Sequence, residues 1–146
     1  MEPLEKTQDK IADIMARHGV VLGYVFGSYA RDEMTPLSDV DVAVMFSPSI
    51  SSKNQFSREL KLADDIGHLL HIERVDVVNL SSVSSPLLKH RAALCGRVVL
   101  AKSQTHRRQV ERLILQEYED TQHLRDANAY FLDRRLNSSM LHDSDR

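Results

Sequence analysis

Two aspartates separated by one residue stand at the start of an apolar stretch. In the segment DVDVAV, Asp39 and Asp41 alternate with three valines. Because residues i and i+2 of a β-strand point to the same face, the two carboxylates project together, roughly 6.5–7 Å apart at their Cα atoms. Unpaired carboxylates repel each other and resist burial. A hard divalent cation such as Mg²⁺, which binds carboxylate oxygens together with waters and phosphates, would relieve that repulsion.

The same two aspartates also have a purely structural explanation. Asp39 and Asp41 could lie at the exposed edge of a sheet, or they could form ion pairs with arginines. A D-x-D pattern alone is common, so its chemistry has to be judged from the residues around it.

A glycine and a serine form the first of these surroundings. Gly27 and Ser28 follow directly after the apolar stretch VVLGYVF. Glycine lets a ligand approach the backbone closely, and the N–H groups at the start of a helix favour a phosphate. The Ser28 hydroxyl can donate a further hydrogen bond to a phosphate oxygen. Alternatively, the two residues form a plain strand-to-helix turn in which Ser28 caps the helix.

A third aspartate interrupts another β-branched stretch. Asp76 lies within RVDVVNL, which spans residues 74–80. On a neighbouring strand its carboxylate could complete a metal site and accept a proton from an attacking hydroxyl. Two Mg²⁺ ions about 3.5–4 Å apart would then hold the attacking and leaving oxygens of a phosphoryl transfer. The alternatives are an ion pair with Arg74 or a strand-end aspartate without a ligand.

Helix and strand patterns alternate around these residues. The predicted strands span residues 20–26, 39–46, 74–80 and, in a short segment, 97–101. The predicted helices span residues 4–18, 29–33, 56–72, 85–94 and 103 to about 136. The helix at 29–33 is short and is closed by Pro36, and the last helix is long and charged. Residues 47–55 are predicted to be a polar loop. Only 12 residues separate the first two strands, so their pair could be parallel or antiparallel, and a mixed sheet is expected. We expect a single domain over residues 1–136 and a flexible C-terminal tail over 137–146.

Two apolar stripes at helical spacing predict which helix faces are buried. The first consists of Phe56, Leu60, Ala63, Ile66, Leu69 and Leu70, and the second of Val110, Leu113, Ile114, Leu124, Phe131 and Leu132. The second stripe favours packing inside the molecule, with contact to a partner protein as the alternative. The single cysteine, Cys95, lies in the apolar run AALCGRVVL and is predicted to be a buried structural thiol.

Composition narrows the choice of partner. The chain has 19 Lys and Arg against 21 Asp and Glu, and its net charge is −2. A non-specific nucleic-acid binder needs many cations to neutralise phosphates, so a small molecule or a protein is the more plausible partner. No apolar stretch approaches the ~20 residues of a membrane span, and the N-terminus lacks the apolar core of a signal peptide. A cytoplasmic location is therefore expected.

Taken together, the spacing of these residues resembles a known family. Gly27-Ser28, ten further residues, Asp39-x-Asp41 and a later strand aspartate are similar to the pattern of the DNA polymerase β-like nucleotidyltransferases, over about residues 20–80. The short chain and the sequence GSYAR resemble the minimal nucleotidyltransferases (MNT), many of which are antitoxins paired with HEPN-domain ribonuclease toxins. The resemblance implies an α/β fold, with a small mixed sheet flanked by helices, a long C-terminal helix and an active site at one edge of the sheet.

The resemblance also implies a reaction, in which ATP donates AMP to a hydroxyl and pyrophosphate leaves. By matching position, Gly27 and Ser28 would hold the triphosphate. Asp39 and Asp41 would bind two Mg²⁺ ions, and Asp76 would complete the metal site and activate the acceptor.

The residues after the serine are less typical of the family. Arg31 could neutralise charge on the triphosphate or pair with a neighbouring carboxylate. Members often have glycine after this arginine, whereas Asp32 and Glu33 follow it here and add negative charge near the triphosphate.

Three functions are compatible with these observations. The first is an antitoxin that transfers AMP to a tyrosine hydroxyl of a HEPN toxin, where the added negative charge would repel RNA. The second is an antitoxin that masks the toxin by direct binding through the long C-terminal helix. The third is nucleotidyl transfer to a small molecule such as an aminoglycoside, although enzymes of that kind usually carry an additional substrate-binding domain.

Overall fold

A computed structural model of the chain describes residues 2–33 and 39–144, with backbone alone for 137–144. Pro36, which was predicted to close the short helix over residues 29–33, lies outside the described residues, as do the last two residues of the predicted tail. Within the described part of the chain, no helix is long and apolar enough to cross a membrane.

A four-stranded mixed sheet forms the centre of the molecule. Its spatial order is β3-β2-β1-β4, with β1 antiparallel to both β2 and β4, and β2 parallel to β3. The strands are β1 (Val20–Phe26), β2 (Val40–Phe46), β3 (Val75–Asn79) and β4 (Arg97–Ala101). All four predicted strands and the mixed sheet are confirmed. The open question about the first two strands is answered, because they form an antiparallel pair.

Helices cover both faces of this sheet. They are α1 (Leu4–Arg17), α2 (Ser52–Leu70), α3 (Pro86–Lys89) with a π-helical turn (His90–Leu94), α4 (Gln104–Asp120) and α5 (Gln122–Ser144). Serine side chains cap three of them, since the hydroxyls of Ser51, Ser85 and Ser103 accept hydrogen bonds from backbone N–H groups in the following turn. The cap at Ser51 starts α2 at residue 52, so the predicted loop at 47–55 is shorter than expected.

The alternation of side chains along the strands divides the core in two. On one face α1 and α2 pack over the sheet, and on the other α3, the π-helical turn and α4 pack over it. The first cluster contains Ile11, Met15, Val40, Val42, Leu62 and Ile66, and the second contains Leu22, Tyr24, Phe26, Ala43, Ala92 and Ile114. Tyr24 also links the sheet to α4, because its hydroxyl donates a 2.9 Å hydrogen bond to Glu111 Oε1.

Two predictions of burial are wrong. Ile66 and Leu70 of the first stripe are buried, but Phe56 and Leu60 are 64% and 58% exposed, because the helix turns Leu62 to the sheet in their place. Cys95 is exposed, since it follows the π-helical turn, in which Ala92 and Ala93 occupy the buried positions. Each of these two segments has more apolar residues than its sheet-facing side can bury, so contact with the sheet decides which of them are buried.

The C-terminal helix is interrupted and largely exposed. The helix α4 ends at Thr121, whose hydroxyl donates to the Glu117 carbonyl oxygen at 2.8 Å. A second helix, α5, follows and extends beyond residue 136, where a single helix was predicted to end. Ile114 is the buried member of the predicted second stripe, and Val110 is partly buried. The remaining members, Leu113, Leu124, Phe131 and Leu132, are between 54% and 62% exposed, so the prediction of internal packing is wrong for most of the stripe.

Candidate active site

The three aspartates singled out by the sequence lie at one end of the sheet. Asp41 of β2 is in register with Phe26 at the end of β1 and with Asp76 on β3. Since residues in register share a face, the Asp41 and Asp76 side chains project on the same side of the sheet, opposite the buried Val40 and Val42. Asp39 immediately precedes β2. Asp39 and Asp41 are half-buried, whereas Asp76 is exposed.

The electrostatics at this edge are unfavourable for the ionised form of Asp41. Burial raises the pKa of Asp41, and the negative charges of Asp76 and Asp39 and a side-chain hydrogen bond with Asp76 raise it further. Arg74 offers little compensation. Its Nε lies 3.9 Å from Asp39 Oδ1, and its side chain is 72% exposed. Within the described residues, the ion pair of Arg74 is therefore with Asp39 and not with Asp76.

This donor set fits a magnesium ion that shares its coordination sphere with a substrate. Among the described residues, no three Asp, Glu, His or Cys side chains converge as a ready ligand set for a single ion. Mg²⁺ does not require one, because it commonly takes one or two carboxylates and completes its octahedron with waters and phosphates. The negative charges of Asp76 and Asp39 disfavour the ionised form of Asp41 and raise its pKa, and a divalent cation would remove that repulsion.

The backbone after β1 passes directly over this carboxylate group. Gly27 adopts φ +74°, and a Cβ atom at this position would lie 2.5 Å from Asp41 Oδ2. Glycine is therefore required for two reasons, the left-handed conformation and the contact with the carboxylate. Ser28, half-buried, is the next residue of the same turn.

The residues that follow form hydrogen-bonded turns, so the predicted short helix over 29–33 is wrong. The Arg31 N–H donates to the Gly27 carbonyl oxygen at 3.3 Å, and the Glu33 N–H donates to the Ser28 carbonyl oxygen at 2.9 Å. Asp32 interrupts any helical path, because its φ is +56°. This is the left-handed conformation that glycine adopts without cost and that aspartate tolerates.

Arg31 pairs with a neighbouring carboxylate in this structure. Its Nε donates to Glu33 Oε2 at 3.1 Å, and both side chains are more than half exposed. Of the two alternatives for Arg31, this arrangement matches the ion pair with a neighbouring carboxylate. The partner, Glu33, is one of the two acidic residues that are atypical of the family. The contact of Arg74 with Asp39 matches the ion pair with an arginine that was the alternative for Asp39, although Arg74 was the alternative partner for Asp76. The hydrogen bonds of Tyr29 described below were not predicted from the sequence.

The family comparison agrees with this geometry. The family model described as "Polymerase beta, Nucleotidyltransferase" matches residues 9–105, which include β1, β2, β3 and the turn between them. The chain belongs to the polymerase β nucleotidyltransferase family. The match ends where α4 begins, so α5 and nearly all of α4 lie outside it.

Relatives of known sequence support the family membership. One candidate protein adenylyltransferase of Methanocaldococcus jannaschii is 34% identical over 88 residues, which are 60% of this chain and 88% of that relative. A second from the same organism is 33% identical over 92 residues, covering 58% of this chain and 89% of that relative.

Solved structures of this nucleotidyltransferase fold occur in toxin–antitoxin complexes. A chain from a toxin–antitoxin crystal structure with AMP-PNP superimposes with a TM-score of 0.71 at 23% identity, covering 86% of this chain and 97% of that one. A chain from the complex of a tri-AMPylated Shewanella oneidensis HEPN toxin with its MNT antitoxin gives a TM-score of 0.67 at 22% identity, covering 88% and 97%. A chain of the MntA–HepT complex gives 0.66 at 21% identity, with the same coverage. These likenesses show the fold.

Proposed function

We propose that this nucleotidyltransferase is an antitoxin that transfers AMP from ATP to a tyrosine hydroxyl of a cognate HEPN ribonuclease toxin, in a Mg²⁺-dependent reaction. The observation that carries the proposal is the placement of Asp41 and Asp76 in one row of the sheet, with Gly27 in contact with Asp41. The names of the relatives and the AMPylated toxin in one neighbouring complex support protein as the acceptor class.

The turn and the carboxylates have separate tasks in this reaction. The absence of a side chain on Gly27 would let a triphosphate lie against the backbone beside Asp41, with the Ser28 hydroxyl as a donor to a phosphate oxygen. Asp39, Asp41 and Asp76 would hold Mg²⁺. When bound, the ion neutralises phosphate charge and polarises the α-phosphate.

The exposure of Asp76 suits a macromolecular acceptor. An incoming tyrosine hydroxyl could reach the exposed Asp76 carboxylate more easily than the half-buried Asp41. In the transfer step the tyrosine oxygen forms a bond to the α-phosphorus, and the bond to the pyrophosphate oxygen breaks. The hydroxyl proton goes to Asp76, and pyrophosphate leaves. The adenylyl group adds negative charge to the toxin and would repel RNA phosphates.

Neutralisation by masking is the second candidate, and the exposure of α5 favours it. This helix presents Leu124, Tyr130, Phe131, Leu132 and Leu136 to solvent, each between 54% and 62% exposed. A modifying enzyme also has to dock on its target, so α5 would serve either mechanism. Transfer to a small molecule such as an aminoglycoside is less well supported, because the relatives and the AMPylated toxin in a neighbouring complex name protein as the acceptor.

Incubation of the purified chain with ATP, Mg²⁺ and the cognate toxin tests the proposal. We expect the toxin to gain the mass of AMP on a tyrosine and to stay inactive after the antitoxin is removed. One antitoxin should inactivate many toxins, whereas a mask must match its target in a fixed ratio. If the toxin mass stays unchanged and a variant with both Asp39→Asn and Asp41→Asn protects equally at every ratio, the masking function is correct.

A further inference from the structure

A buried tyrosine holds the turn that follows β1. Tyr29 comes directly after Ser28, and only 3% of its surface is exposed. Its ring belongs to the core cluster between the sheet and helices α1 and α2. Its hydroxyl lies 2.6 Å from Thr7 Oγ1 and donates a 3.0 Å hydrogen bond to the Glu2 carbonyl oxygen. The turn is thereby connected to the N-terminal end of α1.

The rest of the turn is not held by a regular helix or strand. Its backbone forms hydrogen-bonded turns without a regular helix, and it includes left-handed conformations at Gly27 and Asp32. The side chains of Arg31 and Glu33 pair with each other in solvent, so their ion pair adds no link to the core. The tyrosine is therefore the residue of this segment that combines full burial with side-chain hydrogen bonds to a distant element.

The position of the turn matters because the turn touches the carboxylates. Gly27 approaches Asp41 so closely that a Cβ atom would lie 2.5 Å from Oδ2. A shift of a few tenths of an ångström at Gly27 would either press on this carboxylate or open a gap in a phosphate site. Binding groups must be held within about 0.5 Å of their productive geometry to be effective.

We propose that the Tyr29 hydroxyl, together with Thr7, positions the Gly27–Ser28 backbone for ATP, so that the first turn of α1 is part of the nucleotide site. Tyr29 is a positioning residue, since it acts through its neighbours and touches no substrate. Thr7 and Glu2 precede the region matched by the family model, which begins at residue 9. The inference rests on the proposed use of this turn to bind ATP.

A second buried tyrosine provides a matched control. Tyr24 is fully buried in β1, and its hydroxyl donates to Glu111 of α4, away from the turn. Tyr24→Phe and Tyr29→Phe remove the same atom from the same strand–turn unit. The Tyr29→Phe variant should fold, because the aromatic ring remains in the core. The Thr7 hydroxyl also keeps its 3.4 Å hydrogen bonds to the carbonyl oxygens of Pro3 and Leu4.

Four measurements on the full chain separate positioning from stability: ATP affinity, turnover at saturating ATP, hydrogen exchange and melting temperature. We expect Tyr29→Phe to weaken ATP binding by about tenfold, with turnover at saturating ATP changed by less than about threefold. Hydrogen exchange of the amides at 27–33 should accelerate in this variant. Tyr24→Phe should lower the melting temperature while ATP affinity and exchange at 27–33 stay as in the parent. Thr7→Val should weaken ATP binding in the same direction, and the double variant should lose less than the sum.

The outcomes distinguish this inference from the proposed function. Equal ATP affinity in the parent and in Tyr29→Phe would refute the positioning role and leave the proposed function intact. Tight ATP binding that depends on Tyr29, without AMP transfer to the toxin, would refute the proposed function and leave the positioning role standing. A parent that binds no ATP would refute both.

Discussion

The end of the sheet that carries the aspartates and the C-terminal helix α5 both reach solvent, but one presents charged side chains and the other apolar ones. At the sheet end, Asp39, Asp41 and Asp76 crowd negative charge, and Gly27 holds a left-handed turn against one of the carboxylates. On α5, large apolar side chains face solvent over residues 124–136, and the helix packs only lightly against the end of α4.

Neither arrangement benefits the isolated fold. Like charges at one edge raise the free energy of the folded chain until a cation binds, and exposed apolar side chains bury nothing unless a protein covers them. A small charged ligand would stabilise the sheet end, whereas a macromolecule would stabilise α5. The family match separates them as well, since it covers the sheet end and stops where α4 begins. The proposed function therefore places its chemistry in the first region and its docking surface in the second.

The largest effect should come from removing a carboxylate. Asp41→Asn keeps the shape but not the charge that would hold Mg²⁺, so AMP transfer should fall by about 10³-fold or more, on the order of 4 kcal/mol. Asp64→Asn on α2, an exposed aspartate, is the matched control and should retain activity. Steady-state transfer rates would show this. Full activity in Asp41→Asn would break the assignment of chemistry to the sheet end.

Two glycine variants test the contact with the carboxylate. Gly27 and Gly19 both have positive φ, and a Cβ atom on either would meet a side chain at 2.5 Å, but Gly19 lies at the opposite end of β1. Each change to alanine should cost about 1–2 kcal/mol of stability. Gly27→Ala alone should lower transfer, by about tenfold or more, because its Cβ displaces the Asp41 carboxylate. Chemical denaturation and transfer rates measure both effects, and equal activity in the two variants would show that the turn is merely structural.

Serine substitutions of two exposed phenylalanines test the docking surface. Phe131 of α5 is 58% exposed and Phe56 of α2 is 64% exposed, so neither Phe131→Ser nor Phe56→Ser should change stability by more than about 0.5 kcal/mol. Phe131→Ser should weaken binding to the toxin by about tenfold, since apolar anchors carry much of an interface's energy. Calorimetric titration with the toxin would reveal the difference. Identical affinities would mean that α5 is not the docking element.

The smallest effect concerns pH and metal. Because the pKa of Asp41 is raised in the folded protein, the folded state binds a proton more readily than the unfolded state. The stability of the metal-free protein should therefore fall as pH rises from the ordinary carboxyl pKa through the raised one, and then level off. Melting temperatures in a chelator should show this fall, which Asp41→Asn should reduce.

Added Mg²⁺ should reverse that loss at neutral pH. At a concentration ten times its dissociation constant, the ion should stabilise the parent by about 1.4 kcal/mol and the Asp41→Asn variant by less. If the melting temperature of the parent changes with neither pH nor Mg²⁺, the crowding of negative charge at the sheet end would be contradicted.

Much of this architecture was determined by local sequence. The alternation of valine with Asp39 and Asp41 predicted a strand with both carboxylates on one face, and that strand is present. The helix starts at Ser85 and Ser103 and the glycine that follows β1 were equally readable, because capping and turn conformation depend on neighbouring residues. The start of α2 at Ser51 was missed, because that serine lies in a stretch with the composition of a loop. Family membership also followed from the spacing between Gly27-Ser28 and Asp39-x-Asp41, which does not depend on the fold of the rest of the chain.

Only the tertiary structure decided how these local units meet. It placed Asp76 in register with Asp41, paired β1 antiparallel to β2, and connected Tyr29 to Thr7, 22 residues earlier. It also turned Leu62 of α2 inward and left Phe56 in solvent, although both belong to apolar helical spacings. Periodicity specifies that one face will be buried, but not which of several apolar faces meets the sheet. That choice depends on contacts between residues far apart in the chain, which local patterns do not encode.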